Sequence, residues 1–453
     1  MYSDEGKIPN VPMVKAEDTG VSSFPATTSK EKMEEEIKSN SYPIDSVASL
    51  NPEYFPHSPP NVKLSPPSTI QNLGHMLKSY SIVVRYDVIK KKLLVTVPGL
   101  EGSTDNADNV ALSYVISLAS LNKMSTGHIP AFLEALGDRN LYNPAAVWIT
   151  SRPWDGVDRL QAFYDTLVER EGYPKGLKEI LIYRWALSAV AASLKPSGFR
   201  SRGVLTLAGP QSIGKTTWIS LLADPALTER LIKLDHHLDA SNKDSTLTAI
   251  GHWIVEIGEL DSSFKRDIAR LKGFLTATSD KIRKPYGRGD SEYSRRTVFC
   301  ATVNEENFLV DMTGNTRWWT IPVTAIDTNH GIDMQQLFAQ LAVDYHNDKQ
   351  WWLTREEEQL LEEQNKLHQT VSVIRESILE NFDLKRIGEN GLKAYSASEL
   401  LRMIGFDKPT NPQCREYAAV LRELLGDHKR INGINKWRVP YKGQDIYAVG
   451  PLR

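Results

Sequence analysis

The octapeptide Gly209-Pro210-Gln211-Ser212-Ile213-Gly214-Lys215-Thr216 fills every fixed position of the pattern G-x-x-x-x-G-K-[ST]. It follows an apolar run, Val204–Ala208, and opens a helical pattern, Thr217–Leu222. Strand, glycine loop and helix in that order can cradle phosphate. Glycine at 209 and 214 lets backbone N–H groups turn inward where a side chain would block the approach, and the helix N-terminus adds a favourable dipole. The expected ATP-binding segment is that octapeptide together with Thr217. Within it Lys215 would reach the β- and γ-phosphates and Thr216 would hold Mg²⁺. The competing reading is a plain glycine turn ahead of a helix.

Nucleotide hydrolysis also needs a carboxylate beside the metal and a group that orients the attacking water. The segment Trp253-Ile254-Val255-Glu256-Ile257-Gly258-Glu259-Leu260-Asp261 offers both at the end of a buried strand. Glu256 is the better-placed magnesium partner and Glu259 the candidate to polarise water, although either carboxylate could face solvent instead. Asp261 reads as a helix N-cap. The next apolar strand, Thr297–Val303, ends in Asn304, whose amide can hydrogen-bond a γ-phosphate and a water without adding charge. A simple turn-forming role is the alternative for Asn304. In Gly314-Asn315-Thr316-Arg317-Trp318-Trp319, the permanently charged Arg317 is a candidate finger reaching into a neighbouring subunit's site. Stacking on Trp318 or Trp319 for packing would explain it equally well.

Between these motifs, residues 265–296 hold ten Lys and Arg against four acids. Within that stretch Lys281, Arg283, Lys284, Tyr286 and Arg288 read as a hairpin with cations and an aromatic ring near its tip. Cations for phosphates and a ring for bases is the composition of single-strand binders, while a solvated loop is the bland alternative.

The elements that must carry these residues follow from the rest of the 453-residue chain, which is too long for one core. Residues 1–67 hold ten of the 24 prolines and little apolar periodicity, which predicts a disordered leader. Residues 68–195 read as a small α/β or mainly helical domain, with strands over Ser81–Tyr86 and Lys92–Val97. Residues 196–350 alternate strand and helix as a parallel-sheet P-loop NTPase core does. Residues 351–370 read as a solvated acidic helical connector. Residues 371–453 read as three helices followed by a hairpin, the pattern of a winged helix-turn-helix. With 54 Lys and Arg against 56 Asp and Glu, the net charge of −2 excludes a global field, so any nucleic-acid binding uses local patches. Two cysteines, Cys300 and Cys414, give neither a disulfide framework nor a metal quartet. The apolar runs are too short for a membrane span, and a cytoplasmic setting is expected.

Taken in order, the glycine loop, Asn242-Lys243-Asp244, the Glu256 and Glu259 strand, Arg283-Lys284-Pro285-Tyr286-Gly287-Arg288, Asn304 and the Arg317 motif resemble the virulence-associated protein E family. These are P-loop ATPases of phages and mobile islands, similar to superfamily 3 helicases. The resemblance covers about residues 140–345 and includes Pro153-Trp154-Asp155-Gly156-Val157-Asp158-Arg159-Leu160. It implies an AAA+-like ring, a hexamer, in a bacterial host cell. There Lys215 and Thr216 would act on the nucleotide, Glu259 and Asn304 in hydrolysis, Arg317 as the finger in trans, and the 281–288 hairpin in the central pore. Single-stranded or forked DNA is the implied partner. The chain departs from the pattern by carrying no metal-binding Asp-x-Asp strand motif or zinc cysteines ahead of residue 195, so primer synthesis is not expected. Its carboxylates also come as Glu-x-x-Glu, which leaves their division of labour open. An ATP-driven motor translocating on DNA in replication is the first functional expectation. A P-loop ATPase switch in phage conflict or regulation, binding protein or DNA without unwinding, is the alternative.

Overall fold

A computed structural model describes residues 47–442, apart from 62–63, 101–105, 259–267, 283–290, 305–308, 310–314, 369–372 and 390. The chain divides into two compact units, residues 1–85 with 93–140 and residues 86–92 with 141–453.

In the first unit, helix α1 (Ile70–Ser79) is capped by the Thr69 side chain and leads into strand β1 (Val83–Asp87) and strand β2 (Lys92–Thr96). Helices α2 (Ala107–Leu121) and α3 (Ile129–Asp138) complete it. The helical spacing of Leu73, Met76 and Leu77 puts them on one face, where they join Val84, Val115, Leu118 and Leu133 in a core of their own. The last two residues of β1 belong to the second unit, where Tyr86 and Asp87 pair parallel with β3 (Leu141–Tyr142).

The second unit is built on a six-stranded sheet. Its first elements are α4 (Pro144–Ile149), α5 (Leu160–Asp165), β4 (Leu167–Glu169) and the long helix α6 (Lys175–Leu194). Strand β5 (Val204–Ala208), α7 (Lys215–Ser220), α8 (Pro225–Leu231), β6 (Ile232–His236), α9 (Lys243–Ile250) and β7 (Ile254–Ile257) follow. Next come α10 (Ile268–Leu275), β8 (Ser279–Ile282), β9 (Ser291–Ser294), β10 (Val298–Val303), β11 (Trp318–Ile326), α11 (Met334–His346) and α12 (Arg355–Lys366). The sheet order is β4-β11-β5-β10-β7-β6, parallel throughout except for the antiparallel edge strand β4.

Alternate residues of the central strands enter two different cores. Leu205, Leu207, Val298, Cys300 and Ile254 pack on one face with α6 and α11, while Val204, Ala208, Phe299, Ala301, Val255 and Ile257 pack on the other. Covering on both faces is why these strands read as continuous apolar runs instead of alternating ones. The described residues contain no helix long and apolar enough to cross a membrane.

Helix α6 is where the structure departs from a boundary near residue 195. Its Trp185 donates Nε1–H to the Phe299 carbonyl at 2.8 Å, and Trp253 of the sheet donates back to the Ala189 carbonyl at 2.8 Å. The helix belongs to the sheet's core, and the division between units lies at Asn140. The acidic helix α12 is also no solvated connector. Leu361 is fully buried, Asn365 donates to the Asn315 and Trp318 carbonyls at 2.9 Å each, and Glu357 pairs with Arg184 at 3.0 Å. Two buried positions four residues apart are enough to seat an otherwise charged helix.

The entry motif serves the same core. Arg159 grips the Asp155 carboxylate with two nitrogens at 2.7 and 2.6 Å, and Gln336 and Gln340 of α11 accept the backbone N–H groups of Asp155 and Arg159.

The last elements are α13 (Val373–Asn381), β12 (Ala394–Tyr395), α14 (Ala397–Met403), α15 (Asn411–Leu425), β13 (Lys429–Ile431) and β14 (Ile434–Arg438). The three strands form a separate sheet, β12-β14-β13, over a core of Ile378, Leu400, Tyr417, Leu421 and Trp437. The hairpin expected at the end of the chain places its strands at Lys436–Val439 and Ile446–Val449; the second lies outside the described residues, and the first pairs instead with β13 upstream of it.

One partly buried contact is expected to make the second unit sensitive to acid. His252 Nε2 faces Lys90 Nζ at 2.6 Å, and its Nδ1 faces the Thr248 carbonyl at 2.7 Å. Only a neutral ring can accept from the ammonium while donating to the carbonyl. Burial, and then the Lys90 charge, lower the imidazole from 6.5 to about 4. A folded value below the unfolded one means that stability is whole above about pH 6.5 and is lost as pH falls towards 4. The thermal midpoint is expected to drop across that window, and to drop less steeply in His252→Gln.

Candidate functional site

The carboxyl ends of β5, β10 and β7, three adjacent strands, bring four of the expected residues together. The Gly209–Thr216 loop leaves β5 and turns into α7 with Ser212 and Gly214 both at positive φ, 66° and 96°. Gly209 has no room for a side chain, because a Cβ there would stand 2.2 Å from the Val323 carbonyl oxygen of β11. The Lys215 ammonium lies folded along the loop, donating to the Gly209 and Pro210 carbonyls at 2.7 Å each and to Asn304 Oδ1 at 2.9 Å. Burial lowers its pKa, opposed by the charge of Glu256. Asn304 reaches it from the end of β10, next to β5 in the sheet. The amide and the ammonium thus meet where a terminal phosphate on this loop would lie.

Glu256 is completely buried, and every hydrogen bond it receives comes from a neighbouring strand or the loop. Its Oε1 accepts Thr216 Oγ1–H at 2.6 Å and Thr302 Oγ1–H at 2.9 Å, and its Oε2 accepts the Asp235 N–H at 3.1 Å. Three donors from three different elements thus converge on one buried carboxylate. One carboxylate beside an exposed threonine hydroxyl fits Mg²⁺, which favours one or two protein oxygens with phosphates and waters over a closed protein cage. Among the described residues there is no cluster of three or more His, Cys, Asp or Glu side chains suited to a metal.

Two participants were not read from the sequence. Thr302 was available to it: in a strand, 302 and 304 share a face, so the residue two before Asn304 must point the same way. Thr302→Val keeps the shape and removes one donor from the buried carboxylate. It is expected to cost about 1–3 kcal/mol, read as a lowered thermal midpoint that Thr302→Ser largely restores. Asp235 gave no local signal. It sits at a register shift of β6 with φ 47°, and its Oδ1 fills the space a Cβ at Gly258 would need, 1.9 Å away.

Arg317 is not part of this cluster. It lies on a short 3-10 turn, Asn315–Arg317, at the amino end of β11, with a buried Nε that has no hydrogen-bond partner. Trp318 pairs with Val204, whereas the loop begins after Ala208, whose partner is Pro322. Five strand residues lie between the level of Arg317 and Gly209, six steps or roughly 20 Å at 3.3 Å each. The two tryptophans beside it are fully engaged in opposite core clusters. Of the hairpin residues, Lys281 is exposed on β8, opposite Glu292 of the antiparallel β9. Arg283, Lys284, Tyr286 and Arg288 lie outside the described residues, as do Glu259 and Asp261.

A cavity of about 540 Å³ adjoins the loop. Its wall includes Trp148, Arg152, His330, Ile332 and Met334, and it shares Thr328, whose methyl would be 2.9 Å from a Cβ at Gly214.

Residues 149–370 match the virulence-associated protein E-like domain, and this segment contains the loop, Glu256, Asn304 and Arg317. The chain carries a virulence-associated protein E-like domain over these residues. The VapE-like domain begins at the last residue of α4 and ends just beyond α12, so it includes both α6 and the acidic helix. Among solved structures, an A-form apo structure of the NrS-1 C-terminal region is 12% identical, covering 81% of this chain and 98% of that one at a TM-score of 0.34. Another apo structure of that region is 14% identical with the same coverage and a TM-score of 0.35. These scores lie below the level at which a shared fold follows. No curated protein matches the sequence.

Proposed function

We propose that this protein hydrolyses ATP with Mg²⁺ and works as an oligomeric motor on DNA, in the replication of a phage or mobile element. The observation that carries the reading is the meeting of Lys215, Thr216, Glu256 and Asn304 at the carboxyl ends of three adjacent parallel strands. Ligands of open α/β sheets bind in that place. The strand order β11-β5-β10-β7-β6 is that of an AAA+-like P-loop core, and it supports that assignment.

In this reading the loop N–H groups and Lys215 bind the β- and γ-phosphates. Thr216 and Glu256 would hold Mg²⁺, which when bound neutralises charge developing on the phosphate oxygens. Asn304 would orient the attacking water and the γ-phosphate without adding charge. The cavity beside Gly214 would take the nucleoside, with Trp148 and Met334 against the base. Arg317, too far along β11 to serve its own loop, would complete the site of a neighbouring subunit, so the working form would be a ring, as a hexamer is. The β8–β9 limbs would present the basic 281–288 segment to single-stranded or forked DNA. The three C-terminal helices and hairpin read as a winged helix-turn-helix.

Magnesium-dependent release of phosphate from ATP by the full chain, rising when single-stranded DNA is added, is the expected result. Phosphate release no greater than that of Lys215→Ala, with or without DNA, overturns the reading.

A further inference from the structure

The C-terminal elements run helix α13, strand β12, helices α14 and α15, then strands β13 and β14, with sheet order β12-β14-β13. Helix α15 packs one side into the local core through Tyr417, Val420 and Leu421, all completely buried. At 100° per residue Asn411, Arg415 and Arg422 fall within about 40° of one another on the side away from these, with Ala419 at one edge of the arc and Ala418, which packs against the core, at the other. Asn411, Arg415 and Arg422 are exposed, and the two alanines are half-buried. The two guanidinium-bearing residues stand seven residues apart, about 10 Å along the axis.

We propose that this face of α15 is a docking surface for double-stranded DNA, distinct from the 281–288 segment and resting on the winged-helix reading of these elements. Three features select a duplex over a single strand. The face has no aromatic side chain on which an unpaired base could stack. Only small alanines flank the polar residues on either side, so the two arginines stand clear, about 10 Å apart along the axis against the roughly 12 Å width of a major groove. Arginine is also the side chain whose fork matches guanine O6 and N7 or a phosphate.

The adjoining hairpin supplies backbone contacts. Asn432 and Gly433 both adopt positive φ, 50° and 78°, which makes a tight turn between β13 and β14. Lys429 and Arg430 on β13 are exposed, whereas Lys436 on β14 is held by Glu399 at 3.0 and 3.1 Å. Exposed cations therefore lie on both strands, Lys429 and Arg430 on β13 and Arg438, which donates to the Leu392 carbonyl at 3.4 Å, on β14. Exposed Glu416 lies 100° round the helix from Arg415, at the margin of the face. Arg422 is 3.9 Å from an exposed Asp427, a pair weak enough to exchange for a phosphate.

The test measures anisotropy of a labelled random-sequence duplex and of one of its single strands, with the full chain, across a salt series. Arg415→Ala with Arg422→Ala is expected to weaken duplex binding by tenfold or more and to flatten the log–log salt slope by about 2. The double variant should leave single-strand binding and basal ATP hydrolysis unchanged. Arg415→Lys with Arg422→Lys restores the slope but not the full affinity, because a point charge replaces a planar fork. Both positions are exposed, so unchanged thermal midpoints establish that the variants fold; Lys429→Ala with Arg430→Ala, expected to flatten the slope likewise, tests the surface independently. Duplex affinity and slope equal to wild type in both double-alanine variants overturn the proposal. Duplex binding retained by Lys215→Ala separates this surface from the hydrolysis reading, since it survives a failure there.

Discussion

Alanine in place of Lys215 is expected to lower kcat/KM for ATP by about 10²–10³, the size of effect seen when one preorganised donor to a transition-state oxygen is removed. The expectation rests on how this ammonium is held. Its three hydrogen bonds, to two loop carbonyls and Asn304, fix its position at the mouth of the loop. Burial disfavours its charge, so a phosphate arriving there gains an ammonium that water solvates poorly. Lys215→Arg is expected to rescue little, because a planar fork does not fit a space bounded by two carbonyls and an amide. Stability changes little, since the loop carbonyls that lose the ammonium can turn to water. The readouts are steady-state hydrolysis and a thermal melt on the same preparation. Hydrolysis within threefold of wild type would show that the loop is a structural turn.

Arginine fingers contribute about 10³–10⁵ to kcat, so Arg317→Ala is expected to have the largest effect on the reaction. It would do so without weakening nucleotide binding in its own subunit, because the register of β11 on β5 sets Arg317 at the far end of the sheet from its own loop. Mixing decides the matter. Arg317→Ala lacks the finger but keeps a sound loop, and Lys215→Ala lacks the loop's cation but keeps a sound finger. Hybrid interfaces between them contain one complete site, so mixtures are expected to hydrolyse ATP faster than either variant alone, with a maximum at intermediate ratio. Activity that merely interpolates between the two at every ratio would assign Arg317 to packing around the 3-10 turn, where its buried Nε now lacks a partner.

Much of the site could be read from local pattern. The loop is contiguous, and its chemistry depends on residue types within eight positions. The strands around it announce themselves as apolar runs because both faces of the sheet are covered. Asn304 and Glu256 could be placed at strand ends for the same reason. Thr302 was within reach through period-two alternation, but a threonine in an apolar strand looks like any β-branched residue until its hydroxyl is seen to have a buried acceptor. Asp235 could not be found that way. Its part depends on a bulge in β6 and on the missing side chain of Gly258, a residue that in sequence is only a break after a strand.

By itself, the sequence determined which residues could carry the chemistry and in what order they occur, because backbone permissiveness at glycine, charge at lysine and arginine, and alternation along a strand are properties of short segments. Only the tertiary structure decided which of them meet. Pairing β5 with β10 and β10 with β7 brings together residues 40 to 90 positions apart. No local periodicity encodes such pairings, since they are chosen by packing on both faces at once. The same packing takes α6 into the sheet's core, buries part of an acidic helix whose composition suggests solvent, and puts Arg317 at the opposite end of the sheet from its own loop.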